Sequence, residues 1–247
     1  MVQTLKVADR YDQFSYMASF VADKIRNPLT GIAQMISLIK EDLKDNLDRH
    51  KLESIDSCIQ KIDSFIEDLY TLSQPINPSL LNVNLKKFTA EVVKQYFKGK
   101  KVHYRTQFED VEVYVLADLL LLQNAINNIL DNAVEAIDEK GQITVLLRIN
   151  KNKYHPVCRF ATIAVVDTGT GISSESRENI FKPFYTTKDT GRGLGLVIAS
   201  KYIHQHGGTI VIQSNHQGTT VEINLPILSR DVEWTGGKMY SSSKMIL

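Results

Sequence analysis

The sequence predicts an α+β protein in which an N-terminal helical hairpin, paired into a dimeric four-helix bundle, precedes an α/β sandwich domain. Apolar residues recur every three or four positions between residues 14 and 72, which is typical of packed helices. From about residue 80, short runs of alternating apolar residues are interspersed with helical stretches, as in helices that lie on one face of a largely antiparallel sheet. Pro75 and Pro78 separate the two patterns, and 247 residues suffice for two domains.

Composition excludes several classes of partner. The 29 Lys and Arg residues nearly balance the 28 Asp and Glu residues, so that the formal net charge is +1 and electrostatic capture of nucleic acid is not expected. No apolar run approaches the roughly 18 residues of a membrane-spanning helix, and the N-terminus lacks the apolar core of a secretion signal. Cys58 and Cys158 lie far apart, without metal-ligand spacing. We therefore expect a cytoplasmic protein with no nucleic-acid partner and no membrane segment in this chain.

The first domain, residues 1–73, is predicted to be a hairpin of two long helices joined by a polar connection at residues 45–49. Each helix carries one narrow apolar stripe. The stripe residues are Phe14, Ala18, Val21, Ile25, Leu29, Ile32, Ile36, Ile39 and Leu43, then Leu52, Ile55, Ile59, Ile62, Phe65, Ile66, Leu69 and Leu72. A single hairpin leaves too much of these stripes exposed, whereas two hairpins bury them in a four-helix bundle. We therefore predict a homodimer formed through the helical hairpin.

Residues 74–79 are predicted to be a linker, because two closely spaced prolines disfavour regular structure. The sandwich domain is predicted over residues 80–228, with helices near 86–98, 118–138 and 194–206. Residues 229–247 contain paired glycines and three consecutive serines. We expect this last segment to be a flexible tail.

The helix predicted near residues 118–138 carries polar side chains on one face, at spacings of four and three: Asn128, Asn132 and Glu135. Asparagines one turn apart can present carbonyl oxygens to a hydrated Mg²⁺ and amide N–H groups to phosphate oxygens. The alternative interpretation is a solvated helix face.

A second motif follows a buried strand, where Asp167 is succeeded by Gly169 and Gly171. A carboxylate at a strand end can accept a hydrogen bond from an exocyclic amine such as that of adenine, and the glycines let the backbone pass close to the ring. The alternative interpretation is an ordinary turn.

A third motif, with Gly191, Gly193 and Gly195, directly precedes an apolar helix. This arrangement exposes backbone N–H groups at a helix N-terminus, which suits a polyphosphate. The spacing differs from that of a P-loop, and no strand precedes it as in a dinucleotide-binding unit. The polar segment 173–190, with its aromatic residues, is expected to be a mobile lid over a nucleotide.

Each motif is weak alone, but the ordered set is specific. Within about ninety residues the chain presents Asn128-x-x-x-Asn132, the motif at 167–171, Phe181-x-Pro-Phe184, the motif at 191–195, Gly207-Gly208 and Gly218-Thr219. The set resembles the catalytic ATP-binding domain of sensor histidine kinases, whose fold is shared with gyrase and mismatch-repair ATPases. The hairpin is similar to the dimerisation and phosphotransfer domain of that family. The resemblance covers about residues 11–228.

The resemblance implies a role for each motif. It implies that Asp167 binds adenine, and that Asn132 is the Mg²⁺ ligand with Asn128 nearby. The implied cofactors are thus ATP and Mg²⁺. The remaining residues of the implied nucleotide site are Gly169, Gly171, Lys188, Gly191, Gly193, Gly195, Leu196 and Thr219. Gyrase-type relatives carry a water-activating glutamate where this chain has Asn128, so we expect ATP to be held for transfer to a side chain rather than hydrolysed.

The chain departs from the family pattern on the first helix. The family motif His-Glu-Ile-Arg-Asn-Pro-Leu aligns with residues 23–29, so that Asp23 replaces the phospho-accepting histidine and Lys24 replaces the acid/base glutamate. An ionised carboxylate is a poor nucleophile toward an anionic phosphate, and a charged lysine cannot accept a proton. We expect Asp23 to be inactive and autophosphorylation in cis to be absent or very slow. Asn27 remains at the position that, by resemblance, orients water against a phosphorylated aspartate of a response regulator.

Three functions are compatible with this combination. The chain is a kinase that phosphorylates the intact histidine of a partner kinase in trans, or a pseudokinase that docks the receiver domain of a response regulator and sequesters or dephosphorylates it through Asn27. The third is a serine kinase of the same ATP fold acting on an anti-sigma-type partner, which the long hairpin disfavours.

Overall fold

A computed structural model of the chain describes residue 25 and residues 29–34, 36–37, 39, 46–151, 159–188, 191–227, 232–235, 238–241 and 244–245. The chain divides into two compact units, residues 1–75 and residues 76–247. The described elements are helical in the first unit, whereas the second combines helices with sheets, so the predicted α+β class is confirmed.

The first unit contains two helical stretches that share one apolar cluster. Helix α1 includes the described residues 29–34, 36–37 and 39, and helix α2 is Asn46–Ser73. The buried side chains of the cluster come from both helices: Leu29, Ile36, Leu52, Ile59 and Ile66. The predicted connection at residues 45–49 is wrong in extent, because α2 already begins at Asn46; polar residues are common in the first turn of a helix.

The second unit is built on a five-stranded sheet with the order β2-β4-β5-β7-β6. Its strands are β2 (His103–Phe108), β4 (Gln142–Lys151), β5 (Arg159–Asp167), β6 (Thr209–Asn215) and β7 (Gly218–Pro226). β2 runs parallel to β4, and every other neighbouring pair is antiparallel. A separate antiparallel pair joins β1 (Leu81–Asn84) to β3 (Tyr114–Ala117).

Helices cover one face of this sheet. They are α3 (Leu85–Phe97), α4 (Leu119–Ala136), the short α5 (Ser174–Arg177) and α6 (Gly195–Gln205). The register places Leu147, Ile163 and Ile223 side by side across three strands, and all three are buried. Alternate residues of β7 are buried, as expected for a strand with one covered face. The core therefore lies between the sheet and α4 with α6.

The start of α4 is held by Asp118. Its Oδ1 accepts hydrogen bonds from the backbone N–H groups of Leu120 and Leu121, at 3.1 Å each, and its Oδ2 accepts one from Ser79 at 2.9 Å. The backbone N–H of Asp118 donates to Nε2 of the buried His206 at 3.0 Å. Burial raises the pKa of Asp118, but the three backbone donors outweigh it and hold the pKa below its ordinary value. The helix that carries the asparagines thus begins at a fixed point.

Residues 229–247, predicted to be a loose tail, contain regular structure. Three short strands, β8 (Val232–Thr235), β9 (Lys238–Ser241) and β10 (Lys244–Met245), form a separate antiparallel sheet. Composition did not indicate these strands, because glycine and serine are common in irregular segments as well as near the ends of short strands.

Candidate functional site

The polar face of α4 lies against the start of α6. Asn128 Nδ2 donates a hydrogen bond to the backbone oxygen of Asn124, one turn back, at 2.9 Å. A Cβ atom added to Gly195 would lie 2.9 Å from Asn128 Oδ1. The first turn of α6 thus packs closely against Asn128, and the amide oxygen of Asn128 faces this turn. Asn132, one turn further along α4, is half-buried.

Asp167 ends β5 as a buried carboxylate with 5% of its surface exposed. Its Oδ1 accepts two backbone hydrogen bonds, from Gly169 at 2.8 Å and from Thr219 at 3.2 Å. Burial raises the pKa of Asp167, while the two backbone donors and the positive charge of Lys188 oppose that shift. In the part of the chain that the structure describes, the donors to Asp167 reach Oδ1 and none reaches Oδ2, so Oδ2 can accept a hydrogen bond from a ligand.

The first glycine motif fits tightly between two neighbours. A Cβ atom on Gly169 would lie 2.3 Å from the backbone oxygen of Ala136, at the end of α4. Gly171 has a φ of +73°, and a Cβ atom there would lie 1.7 Å from the backbone oxygen of Asn215. Both positions therefore require glycine, and the turn after Asp167 is fixed against α4 on one side and the end of β6 on the other.

Thr219 and Ser214 complete this end of the sheet. The register places Asp167 opposite Thr219 and Thr219 opposite Ser214, and the two hydroxyl oxygens lie 2.9 Å apart. Ser214 Oγ also accepts a hydrogen bond from the backbone N–H of Ile172 at 2.8 Å. A cavity of about 420 Å³ opens here, lined in part by Asp167, Ser214 and Thr219. Ser214 was missed from the sequence, because only the register of β6 and β7 brings it beside Thr219.

The second glycine motif contacts the segment that was predicted to be a lid. The backbone N–H of Phe184 donates to the oxygen of Gly193 at 3.0 Å, and both residues have a φ of 67°. For phenylalanine this left-handed conformation is unfavourable, so the contact fixes a strained residue. A Cβ atom on Gly193 would lie 2.5 Å from the backbone carbon of Phe184. The backbone conformation of the second glycine motif is therefore constrained by its contact with Phe184 of the lid segment.

Lys188 forms an ion pair with Glu135, with 2.5 Å between Nζ and Oε2. Glu135 lies three residues after Asn132 on α4, so the pair joins the lid segment to the helix that carries the asparagines. The sequence placed Glu135 on this polar face but gave it no role. The contact between Glu135 and Lys188 depends on the path of the lid segment past α4, and the periodicity of the sequence does not predict that path.

The structure brings most of the predicted site residues into a few contacts. Asn128 meets Gly195, Asp167 meets Gly169 and Thr219, and Gly191 N donates to Lys188 O at 3.2 Å. Leu196 lies in the first turn of α6. The positions predicted on the first helix, Asp23, Lys24 and Asn27, lie outside the described residues.

Comparison with known proteins identifies the family. Residues 15–78 match the model of the His Kinase A (phospho-acceptor) domain. Residues 117–229 match the model of the histidine kinase-, DNA gyrase B-, and HSP90-like ATPase. The chain belongs to the two-component sensor histidine kinases. The resemblance drawn from the motifs is thus confirmed at the level of the family.

Individual histidine kinases agree with this assignment. Sporulation kinase D of Bacillus subtilis (strain 168) is 30% identical over 229 residues, which cover 89% of this chain and 43% of that protein. The chain spans less than half of the length of the curated relatives that it matches first. None of the helices in the described ranges is long and apolar enough to cross a membrane.

Two solved histidine kinases share the fold. Full-length ShkA in complex with AMPPNP gives a TM-score of 0.71 at 21% identity, covering 87% of this chain and 46% of ShkA. The histidine kinase ThkA in complex with the response regulator protein TrrA gives a TM-score of 0.64 at 24% identity, covering 90% of this chain and 64% of ThkA. At these identities the likeness shows the fold.

Proposed function

We propose that this histidine kinase homologue binds Mg·ATP between α4 and α6 and uses it for phosphoryl transfer to a partner, without phosphorylating itself at Asp23. The observation that carries the proposal is the contrast between two sites. The glycine motifs, Asp167 and Asn128 fit together in the second unit, whereas the sequence of the first helix lacks the histidine and glutamate that the family chemistry needs.

The residues present suit the nucleotide. Asp167 Oδ2 is an acceptor at a buried position, as the exocyclic amine of adenine requires, while Oδ1 is occupied by backbone donors. The amide oxygens of Asn128 and Asn132 suit Mg²⁺, which prefers oxygen ligands and keeps much of its water. The N–H groups at the start of α6 would bind the phosphates, with Leu196 in the same turn. Bound ATP supplies the phosphoryl group, and bound Mg²⁺ offsets its charge.

Transfer is favoured over hydrolysis by the chemistry of Asn128. A hydrolytic enzyme needs a base that removes a proton from water. An amide is not such a base, and the Nδ2 group of Asn128 already donates to the oxygen of Asn124. Water at this position would therefore remain unactivated, and ATP would persist until an acceptor side chain reached it.

The acceptor is proposed to lie on another chain. Asp23 and Lys24 cannot replace an imidazole and a carboxylate base, so the phosphoryl group would go to the intact histidine of a partner kinase. We expect labelled ATP to label a partner kinase that keeps its histidine but has a disabled nucleotide site only when this chain is present. An unlabelled partner would favour the alternative, a pseudokinase that docks the receiver domain of a response regulator and acts through Asn27. ThkA was solved with such a regulator, which supports this class of partner.

The exposed side chains of the hairpin support a homodimer. Each helix has two isoleucines seven residues apart that are 39–48% exposed, between buried positions of the same stripe: Ile32, Ile39, Ile55 and Ile62. Part of each stripe is thus covered within the hairpin, and the isoleucines leave another part open. A second hairpin would cover the open part and complete a four-helix bundle.

Introducing a charge into this stripe is expected to dissociate the dimer. Ile55→Glu should weaken the dimer at least about a hundredfold, because an unpaired carboxylate would be buried twice in an apolar seam. Sedimentation velocity over a range of concentrations measures the effect. Ser57→Glu adds the same charge at an exposed position of the same helix and should leave the dimer intact. Equal behaviour of the two variants would place the interface elsewhere.

Titration with Mg·ATP tests nucleotide binding directly. We expect a saturable heat in calorimetry, with one site per chain, and the same stoichiometry for a non-hydrolysable analogue. The bound nucleotide should be recovered as ATP rather than ADP, because the amide of Asn128 stands at the position where gyrase-type relatives carry the water-activating glutamate. Absence of heat at millimolar ATP would contradict the proposal, and rapid release of ADP would contradict its transfer step.

A further inference from the structure

The ion pair between Lys188 and Glu135 lies beside the proposed phosphate site. Glu135 follows Asn132 by one helical turn, so its carboxylate belongs to the face of α4 that carries the asparagines. The side chains of Lys188 and Glu135 are 37% and 57% exposed. Such a pair contributes little stability and is exchanged easily for another partner.

The backbone of Lys188 is fixed near the second glycine motif. Its N–H donates to Thr186 Oγ1 at 3.1 Å, and its oxygen accepts from the N–H of Gly191 at 3.2 Å. Its positive charge also lowers the pKa of Asp167 against the effect of burial. The ammonium group is therefore tethered within reach of both the glycine motif and Glu135, and only its side chain needs to move between partners.

The other carboxylates nearby do not share this contact. Asp131 lies one turn before Glu135. Its Oδ1 accepts a hydrogen bond of 2.5 Å from the hydroxyl of Tyr96, which lies on α3. Glu139 is exposed beyond the end of α4. Among the residues that the structure describes, Glu135 is thus the carboxylate paired with Lys188.

We propose that Glu135 is a specificity-determining residue that competes with the polyphosphate of the nucleotide for the ammonium group of Lys188. This inference rests on the proposed function and deepens it. A triphosphate carries several negative charges and many acceptor oxygens, so it takes Lys188 from a single exposed carboxylate. Glu135 is then left unpaired beside the phosphates and repels them. A nucleoside monophosphate lacks the β- and γ-phosphates, so its affinity should depend little on Glu135.

Glu135→Gln tests the competition, because it removes the charge and keeps the shape. For a non-hydrolysable ATP analogue with Mg²⁺, we expect this variant to bind about three- to five-fold more tightly, the scale of one exposed charge pair. Its affinity for AMP should stay within about twofold of the parent chain. The matched control Glu139→Gln makes the same charge change and should leave both affinities unaltered.

A double-variant cycle shows whether Glu135 acts through Lys188. Lys188→Ala should weaken binding of the analogue, and adding Glu135→Gln to it should change the affinity by less than about twofold. The inference is overturned if Glu135→Gln binds the analogue no better than the parent chain. It is also overturned if AMP gains equally, or if the gain persists in the absence of Lys188.

The two levels of the proposal fail in different ways. If the parent chain binds both nucleotides and Glu135→Gln changes nothing, only the competition is wrong and the nucleotide site stands. If the parent chain binds neither nucleotide, the proposed function is wrong and the role of Glu135 falls with it.

Discussion

Replacing Asp23 with histidine and Lys24 with glutamate is expected to give a chain that takes up labelled γ-phosphate from Mg·ATP, where the parent chain takes up none. The nitrogen of a neutral imidazole attacks the γ-phosphorus, the bond from that phosphorus to the oxygen of ADP breaks, and the glutamate receives the imidazole proton. The residues of the proposed nucleotide site are unchanged in the variant. A gain from no label to stoichiometric label on the histidine-containing chain would therefore locate the defect in two side chains.

Single variants separate the contributions of the two positions. Asp23→His alone supplies the nucleophile without the base, and a positioned general base contributes about a hundredfold to ten-thousandfold in rate, so this variant should label far more slowly. Lys24→Glu alone should not label. A double variant that binds ATP but remains unlabelled would show that the kinase machinery is also impaired elsewhere.

Asp167→Asn is expected to weaken nucleotide binding strongly while leaving the fold intact. The amide oxygen of asparagine can still accept from Gly169 and Thr219, but its NH₂ group then replaces the acceptor Oδ2. Adenine would meet a donor where it needs an acceptor. Hydrogen bonds to charged groups contribute about 1.5–3 kcal/mol, so calorimetry should show a loss of about tenfold to a hundredfold in ATP affinity.

The thermal stability of the same variant separates a binding defect from a folding defect. Burial raises the pKa of Asp167 above its ordinary value of 3.8, so the ionised side chain destabilises the folded protein at any pH above the raised pKa. This penalty disappears as the pH falls through the raised pKa toward 3.8. Asp167→Asn should therefore unfold at an equal or higher temperature than the parent chain at pH 7, and this advantage should vanish in acid. A lower melting temperature at pH 7 would contradict this assignment.

The sequence predicts the elements of the fold well, because their signals are periodic and local. The helix predicted near 118–138 is found as Leu119–Ala136, and that near 194–206 as Gly195–Gln205. The short strands β8, β9 and β10 were not predicted, because the glycines and serines of this segment give no periodic signal. Periodicity also failed to place the start of α2, whose first turn carries no apolar stripe.

The candidate site was predictable only where a residue type limits the chemistry. Glycines before a helix predict a close approach of another segment, and an aspartate at a strand end predicts backbone hydrogen bonds to its carboxylate. Gly195 and Asp167 have these contacts. Pairings between distant segments were not predictable. Ser214 meets Thr219 through strand register, and Lys188 meets Glu135 through the fold of the lid segment. Neither pairing leaves a signal in local sequence.

The shared carboxylate of Asp118 has a mechanical consequence. The carboxylate accepts hydrogen bonds from Ser79, which precedes β1, and from the first turn of α4, the helix that carries the asparagines. The backbone N–H of Asp118 donates to His206 at the end of α6. Displacing any one of these three parts would therefore break a hydrogen bond to Asp118, so their positions are coupled within the second unit.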